Sequence, residues 1–196
     1  MTRVALFGGS FNPPHVAHQL AALYVLETQP VDELWIVPTY VHPFEHKRHV
    51  VSFEHRVAMC KLMAAPLGER VTVSKIEEEM AQRPGFRASR TLDLVAFLVE
   101  QGLEVRLVVG SDIMNETGKW HRWNDLVAKA PLIVVGREGV DVPPGSVVTG
   151  VSMPAISSTQ VRRAYAAGEL ATVANLVPRS VYSYMVQHDL YKGAFV

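Results

Sequence analysis

The residues best suited to chemistry lie in one stretch, Phe7-Gly8-Gly9-Ser10-Phe11-Asn12-Pro13-Pro14-His15-Val16-Ala17-His18. Adjacent glycines let a backbone approach a ligand closely and aim its N–H groups at it. Pro13 and Pro14 stiffen the loop, and a helix is expected to begin near His15 or Val16. His15 and His18 then lie three apart, neighbours on the first helical turn. A helix N-terminus with two imidazoles suits a polyphosphate, because donors and positive partial charge converge on it. A tight turn followed by a solvated histidine pair accounts for the same residues. Other chemistries fit less well. The His-Glu-x-x-His of a zinc protease is absent. A dinucleotide dehydrogenase needs Gly-x-Gly-x-x-Gly and an acid at the end of the second strand, where Val37-Pro38-Thr39 stands instead.

A second phosphate signal comes far later, in Ile156-Ser157-Ser158-Thr159-Gln160-Val161-Arg162-Arg163. Ser157 and Gln160 have the spacing of a capping box at a helix start. Such a terminus would offer N–H groups, hydroxyls and Arg162 to phosphate oxygens. An ordinary cap followed by solvated arginines is the competing reading.

Both stretches need a scaffold. Short apolar, β-branched runs at Val4–Phe7, Leu34–Val37, Val71–Val73, Val105–Val109, Leu132–Val135 and Val147–Thr149 predict buried strands. Helical spacing separates them. Ala88, Leu92, Val95, Ala96 and Val99 form one stripe, with Gly102 as its stop. Phe53, Val57, Cys60 and Ala64 form another behind a candidate cap, Ser52. Leu20, Leu23, Tyr24 and Glu27 repeat at helical spacing after the first strand. The alternation predicts an α/β fold with a doubly wound parallel sheet, whose ligands bind at the carboxyl ends of its strands. The last forty residues read as a helical C-terminal extension, Pro178 opening the final helix at its first position. Pro143-Pro144-Gly145 reads as a turn, so residues 1–196 are expected to form a single domain.

Composition narrows the partners. The 196 residues carry 19 Lys plus Arg against 19 Asp plus Glu, a formal net charge of zero. Binding a nucleic acid by bulk electrostatics needs a basic excess, so no nucleic-acid partner is expected. Cys60 is the one cysteine, which excludes an internal disulfide and a cysteine-pair metal site. No apolar run approaches the roughly 18 residues of a membrane span, and Phe7 meets glycine too early for a secretory signal. A cytoplasmic protein with no membrane partner is expected.

Taken together, the two motifs resemble the signatures of the nucleotidyltransferase superfamily with its His-x-x-His motif, nearest to the bacterial nicotinate-nucleotide adenylyltransferases. Further similar segments occur in order: Phe53-Glu54-His55-Arg56 with Met59; Ser89, Thr91 and Asp93; Val109-Gly110-Ser111-Asp112; Lys119-Trp120; Val135-Gly136-Arg137; and Leu176-Val177-Pro178. The resemblance implies a Rossmann-like nucleotidyltransferase domain that transfers the adenylyl group of ATP to nicotinate mononucleotide, releasing pyrophosphate in NAD biosynthesis. By the same resemblance His15, His18 and Arg162 are the catalytic residues. Gly8, Gly9, Ser10, Phe11, Gly110, Asp112, Ile156, Ser157 and Ser158 would complete the ATP site. Ser10, Lys47, Thr91, Trp120 and Arg137 would meet the acceptor. Mg²⁺ would ride on the ATP phosphates, with no protein metal site, and a homo-oligomer is compatible with the sequence.

Acceptor identity is the less determined part. His42, His46, His49 and His55 crowd one segment with Lys47, Arg48 and Arg56, and a solvated loop explains most of them. Arg56 could equally be a structural ion-pair partner. Trp123 shares a helix face with Leu126 and Val127, which suits the core, whereas Trp120 fits the family's Lys-Trp position and by that resemblance is the better candidate to stack on a pyridine ring. Asn12, Ala17, Arg90 and Leu94 stand where the family usually has Asp, Gly, Tyr and Thr. Two alternatives stay open: adenylyl transfer to nicotinamide mononucleotide or phosphopantetheine, and a nucleotide-binding regulator without catalysis.

Overall fold

Each of the six apolar runs forms a strand in the computed structural model, which describes residues 1–41, 51–136, 139 and 141–192. The strands are β1 (Arg3–Gly9), β2 (Glu33–Pro38), β3 (Val71–Val73), β4 (Glu104–Gly110), β5 (Leu132–Val135) and β6 (Val147–Val148). They form one sheet in the order β3-β2-β1-β4-β5-β6, and every neighbouring pair is parallel. Consecutive strand residues point to opposite faces, so a sheet covered on both sides needs unbroken apolar runs. Ala5, Ile36, Val108 and Ile133 enter one core. Leu6, Val37, Leu107 and Val134 enter the other. The doubly wound parallel architecture expected from the sequence is the one observed.

Eight α-helices flank the sheet among the described residues: α1 (Val16–Thr28), α2 (Phe53–Ala64), α3 (Ile76–Ala81), α4 (Thr91–Glu100), α5 (Trp123–Lys129), α6 (Ser158–Ala166), α7 (Leu170–Ala174) and α8 (Arg179–Gln187). Helices α4 and α5 cover the face that holds Leu6. The opposite face packs on α1, α2 and the C-terminal helices, through Val161, Val173, Val181 and Met185. No helix among the described residues is long and apolar enough to cross a membrane.

Three local details differ from the sequence reading. Leu20 and Leu23 are 39% and 43% exposed, while Ala21, Ala22, Val25 and Leu26 form the buried side of α1. Small alanines let this helix lie close to the sheet, which larger leucines would prevent. Helix α4 begins at Thr91, leaving Ala88 outside it. Pro178 is the residue before α8 rather than its first, with ψ 143° in extended geometry. The turn at Pro143–Gly145 forms as expected, closed by the Ser146 N–H donating to the Pro143 carbonyl at 3.1 Å.

Candidate active site

β1 lies between β2 and β4, where the winding reverses, and its carboxyl end opens the crevice at which such sheets bind ligands. Gly8 and Gly9 end the strand. A Cβ on Gly8 would meet no atom within 4 Å, so that backbone faces open space; one on Gly9 would lie 3.3 Å from the Phe11 ring. Phe11 itself turns the chain with φ 46°, a left-handed conformation that side chains resist. The loop after it is fastened from several directions. Arg56 Nη1 donates to the Ser10 carbonyl at 3.0 Å. Arg162 Nη1 donates to the Asn12 carbonyl at 2.8 Å, and the Ser158 hydroxyl to the Pro13 carbonyl at 2.8 Å. The Tyr191 hydroxyl donates to Asn12 Oδ1 at 2.8 Å.

His15 caps α1, whose first turn contains no acidic residue to neutralise its positive end. The His15 backbone N–H donates to His18 Nδ1 at 3.1 Å. An amide can only donate, so Nδ1 is the bare nitrogen and neutral His18 carries its hydrogen on Nε2. The two rings stack with centroids 3.6 Å apart and planes 26° from parallel. Burial lowers the His15 pKa to about 4. Burial, then the proximity of His15, holds His18 well below the ordinary histidine value. Both imidazoles are therefore neutral near pH 7, donors without a resident charge. His15 Nδ1 is buried and has no hydrogen-bond partner among the described residues.

The histidines border a cleft of about 1260 Å³, which Gly8, Gly9 and Ser10 also line. Gly110, Ser111 and Asp112, where β4 runs into a 3₁₀ turn, form its second wall. The start of α6 forms a third, with Ile156, Ser157 and Ser158. Ser157 caps that helix by accepting the Gln160 N–H at 3.1 Å, as its spacing predicts. Two helix N-termini thus open on one space. Arg90, Thr91 and Trp120 line the same cleft.

Glycines keep the walls in register. A methyl on Gly136 would lie 2.4 Å from Ser111 Oγ and 2.5 Å from its Cβ. The Cβ cannot swing aside, so Gly136→Ala must displace the end of β4 or β5. We expect a loss of roughly 1–3 kcal/mol, read as a lower urea midpoint. Gly110→Ala would meet chiefly Asp112 Oδ1, at 2.5 Å, a side-chain tip that can turn away. It should cost less stability and move Asp112.

The cytidylyltransferase-like family model matches residues 6–164. A protein of Anaeromyxobacter dehalogenans (strain 2CP-1 / ATCC BAA-258), named a probable nicotinate-nucleotide adenylyltransferase, is 44% identical over 191 residues, 97% of either chain. The chain belongs to the nicotinate-nucleotide adenylyltransferase family. A relative of the same name from Myxococcus xanthus (strain DK1622) is 38% identical, over 96% of this chain and 94% of its own. The solved structure of the Plasmodium falciparum nicotinic acid mononucleotide adenylyltransferase complexed with NaAD shares the fold. Its TM-score is 0.79 at 16% identity, over 97% of this chain and 98% of that one.

In this member of the adenylyltransferase family the cleft gathers most residues singled out in the sequence. Phe11 and Arg162 are not among its lining. Phe11 is buried behind Gly9 with its ring edge-on to His18, centroids 4.9 Å apart. Arg162 spans Asn12 and Thr159 instead, its Nη2 donating to Thr159 Oγ1 at 3.2 Å. Lys47 and Arg137, with His42, His46, Arg48 and His49, lie outside the described residues. His55 faces away from the cleft, its Nδ1 3.0 Å from the Tyr184 hydroxyl. Asp93 is exposed and Trp123 packs partly buried against the α4–α5 core.

Around this adenylyltransferase-family site, sequence reasoning overlooked Glu77 and Tyr191 and gave Ser89 and Arg56 no defined task. Glu77 is buried at the cleft wall and accepts the Tyr40 N–H at 2.8 Å. Burial raises its pKa, opposed by hydrogen bonds from Ser89 and Tyr40. Ser89 Oγ accepts the Val41 N–H at 3.1 Å, tying the segment after β2 to the approach to α4. Arg56 is 1% exposed, and burial lowers its pKa to about 10. Tyr191 contributes from the last turn of the described chain. The signal available for Arg56 was its place in the apolar stripe of α2, beside Val57 and Cys60.

Proposed function

We propose that this chain transfers the adenylyl group of ATP to nicotinate mononucleotide. A phosphate oxygen of the mononucleotide attacks the α-phosphorus of ATP, the bond from that phosphorus to the bridging oxygen breaks, and pyrophosphate leaves. The products are deamido-NAD and pyrophosphate. The observation that carries this reading is the stacked, neutral His15–His18 pair at the carboxyl end of β1, facing a second helix N-terminus across one cleft. In-line displacement at phosphorus needs alignment and donors more than a protein nucleophile.

Each wall has an assigned task. Gly8, Gly9 and Ser10 bring backbone close to the junction of the two nucleotides. His15 and His18 donate to ATP phosphate oxygens, and the Nε2–H of His18 strengthens as charge grows on the leaving oxygen. Gly110 and Asp112 meet the adenosine portion. Ile156, Ser157 and Ser158 hold the departing pyrophosphate at the start of α6. Arg162 adds positive charge beside them while holding Asn12, and Phe11 serves the ATP site by supporting the His18 ring. Mg²⁺ is assigned to the ATP phosphates, where it would supply charge neutralisation. Residues 1–196 are proposed as one nucleotidyltransferase domain, the C-terminal helices completing the core on one face of the sheet.

Ser10, Thr91 and Trp120 are assigned to the acceptor, with Lys47 and Arg137 from outside the described residues. Trp120 offers a face for the pyridine ring. Stacking of this kind is worth about 0.5–1.5 kcal/mol, so Trp120→Ala should raise the acceptor KM roughly two- to tenfold. The KM for ATP should stay unchanged. Pyrophosphate release with ATP and nicotinate mononucleotide, nicotinamide mononucleotide or phosphopantetheine tests the whole reading. We expect turnover with the first. Turnover confined to another acceptor, or none beside tight ATP binding, would replace it with one of the alternatives.

A further inference from the structure

The turn after α8 contains two non-glycine residues in left-handed backbone, Asp189 (φ 51°) and Tyr191 (φ 65°). Cβ crowds the neighbouring carbonyl there, so the conformation persists only where surrounding contacts hold it. The turn delivers the Tyr191 ring, 3% exposed, to the nucleotide loop, where its hydroxyl donates to Asn12 Oδ1. Phe11, next to Asn12, is itself left-handed and buried. Strained positions therefore stand on both sides of one hydrogen bond that joins residues 179 apart.

Burial pushes the Tyr191 phenol above its ordinary range, so the hydroxyl keeps its proton and stays a donor. The Asn12 carbonyl is engaged separately by Arg162, which leaves the side-chain bond as a distinct restraint. From Asn12 the contacts continue through Phe11, whose ring stands edge-on to His18 at 62° and to Phe7 at 83°. A shift of the Phe11 turn must tilt the His18 ring.

We propose that Tyr191 is a positioning residue for adenylyl transfer: through Asn12 and Phe11 it fixes the His18 ring and the Nε2–H left for a phosphate. The proposal rests on the function proposed above, and its test separates the two. Tyr191→Phe removes one oxygen and keeps the ring. In unliganded wild-type protein, ¹H–¹⁵N imidazole spectra should show His18 as a single Nε2–H tautomer; in the variant its signals should shift or average between tautomers. With ATP and nicotinate mononucleotide, kcat should fall about tenfold while the KM for ATP changes less than about twofold, since small misplacements cost up to roughly 10²-fold. Asn12→Ala removes the other end of the bond and should reproduce both effects, and the double variant should be no worse than either single one. An unaltered His18 spectrum overturns the proposal. So do additive losses in the double variant, or a lower melting temperature with spectrum and kcat unchanged. If wild-type protein releases no pyrophosphate, the function above falls, and the His18 spectrum alone decides the positioning role.

Discussion

Replacing His18 with alanine should reduce kcat about 10²–10³-fold, the typical cost of losing one transition-state donor, and should also cost roughly 1 kcal/mol of stability. The two losses come from different nitrogens. Nδ1 accepts the His15 backbone N–H and so serves the start of α1, while Nε2–H remains for phosphate. Amide side chains can separate them. Asparagine places its Oδ1 near the position of Nδ1, so His18→Asn should recover most of the stability and little of the rate. Glutamine carries its amide further out, near Nε2, so His18→Gln should recover some rate without the cap. Steady-state kinetics beside urea unfolding would check both effects. Full recovery of rate by asparagine would show that Nε2–H is not the donor.

Acidification should destabilise the protein between about pH 6.5 and pH 4, well before most carboxylates are protonated. His15 titrates near 6.5 when unfolded and at about 4 when folded, because burial disfavours its charged form. Across that window the unfolded chain binds more protons, so stability rises with pH and is lost as pH falls. At pH 4 the loss from His15 alone is roughly 3 kcal/mol, since each pKa unit is worth about 1.4 kcal/mol. His18, also lowered, adds a loss of its own from about pH 6.5 downward. Glu77 acts in the opposite sense. Burial raises its pKa above 4.5, so the folded state keeps that proton longer and gains stability as the pH falls below the raised value. Urea midpoints from pH 7.5 to 4 should fall steadily in the wild type. In His15→Gln the slope above pH 5 should fall by about half, because His18 still contributes its own, and an undiminished slope would place its source elsewhere.

The sheet could be read directly because its strands are short, unbroken apolar runs, a pattern with few alternatives in a chain this long. The caps Ser52 and Ser157 could be read because capping depends on residues within three positions. The buried side of α1 could not, since Leu20 and Leu23 outrank Ala21 and Ala22 on any hydrophobicity scale while the sheet demands small residues. Long-range hydrogen bonds were the least visible. Arg56 reaches a carbonyl 46 residues away and Arg162 one 150 away. Arg162 stands out for its charge near a helix start, but its Nη1 hydrogen bond to Asn12 depends on α6 meeting the loop before α1, which nothing local encodes. Tyr191 is harder still, because its backbone occupies a region that sequence patterns assign to glycine.

The fastenings of the β1–α1 loop also fix an order in time. Ser10, Asn12 and Pro13 are made early, yet their partners lie 46, 150, 145 and 179 residues downstream. During synthesis from the N-terminus, β1 and both histidines exist long before the clamp that shapes the turn between them. Contacts this distant in sequence carry the largest loop-closure cost and form late. A ribosome-bound chain paused before Tyr191 would own every phosphate-facing residue of the first motif and still lack its finished geometry. The finished shape of that loop would then wait for the turn after α8.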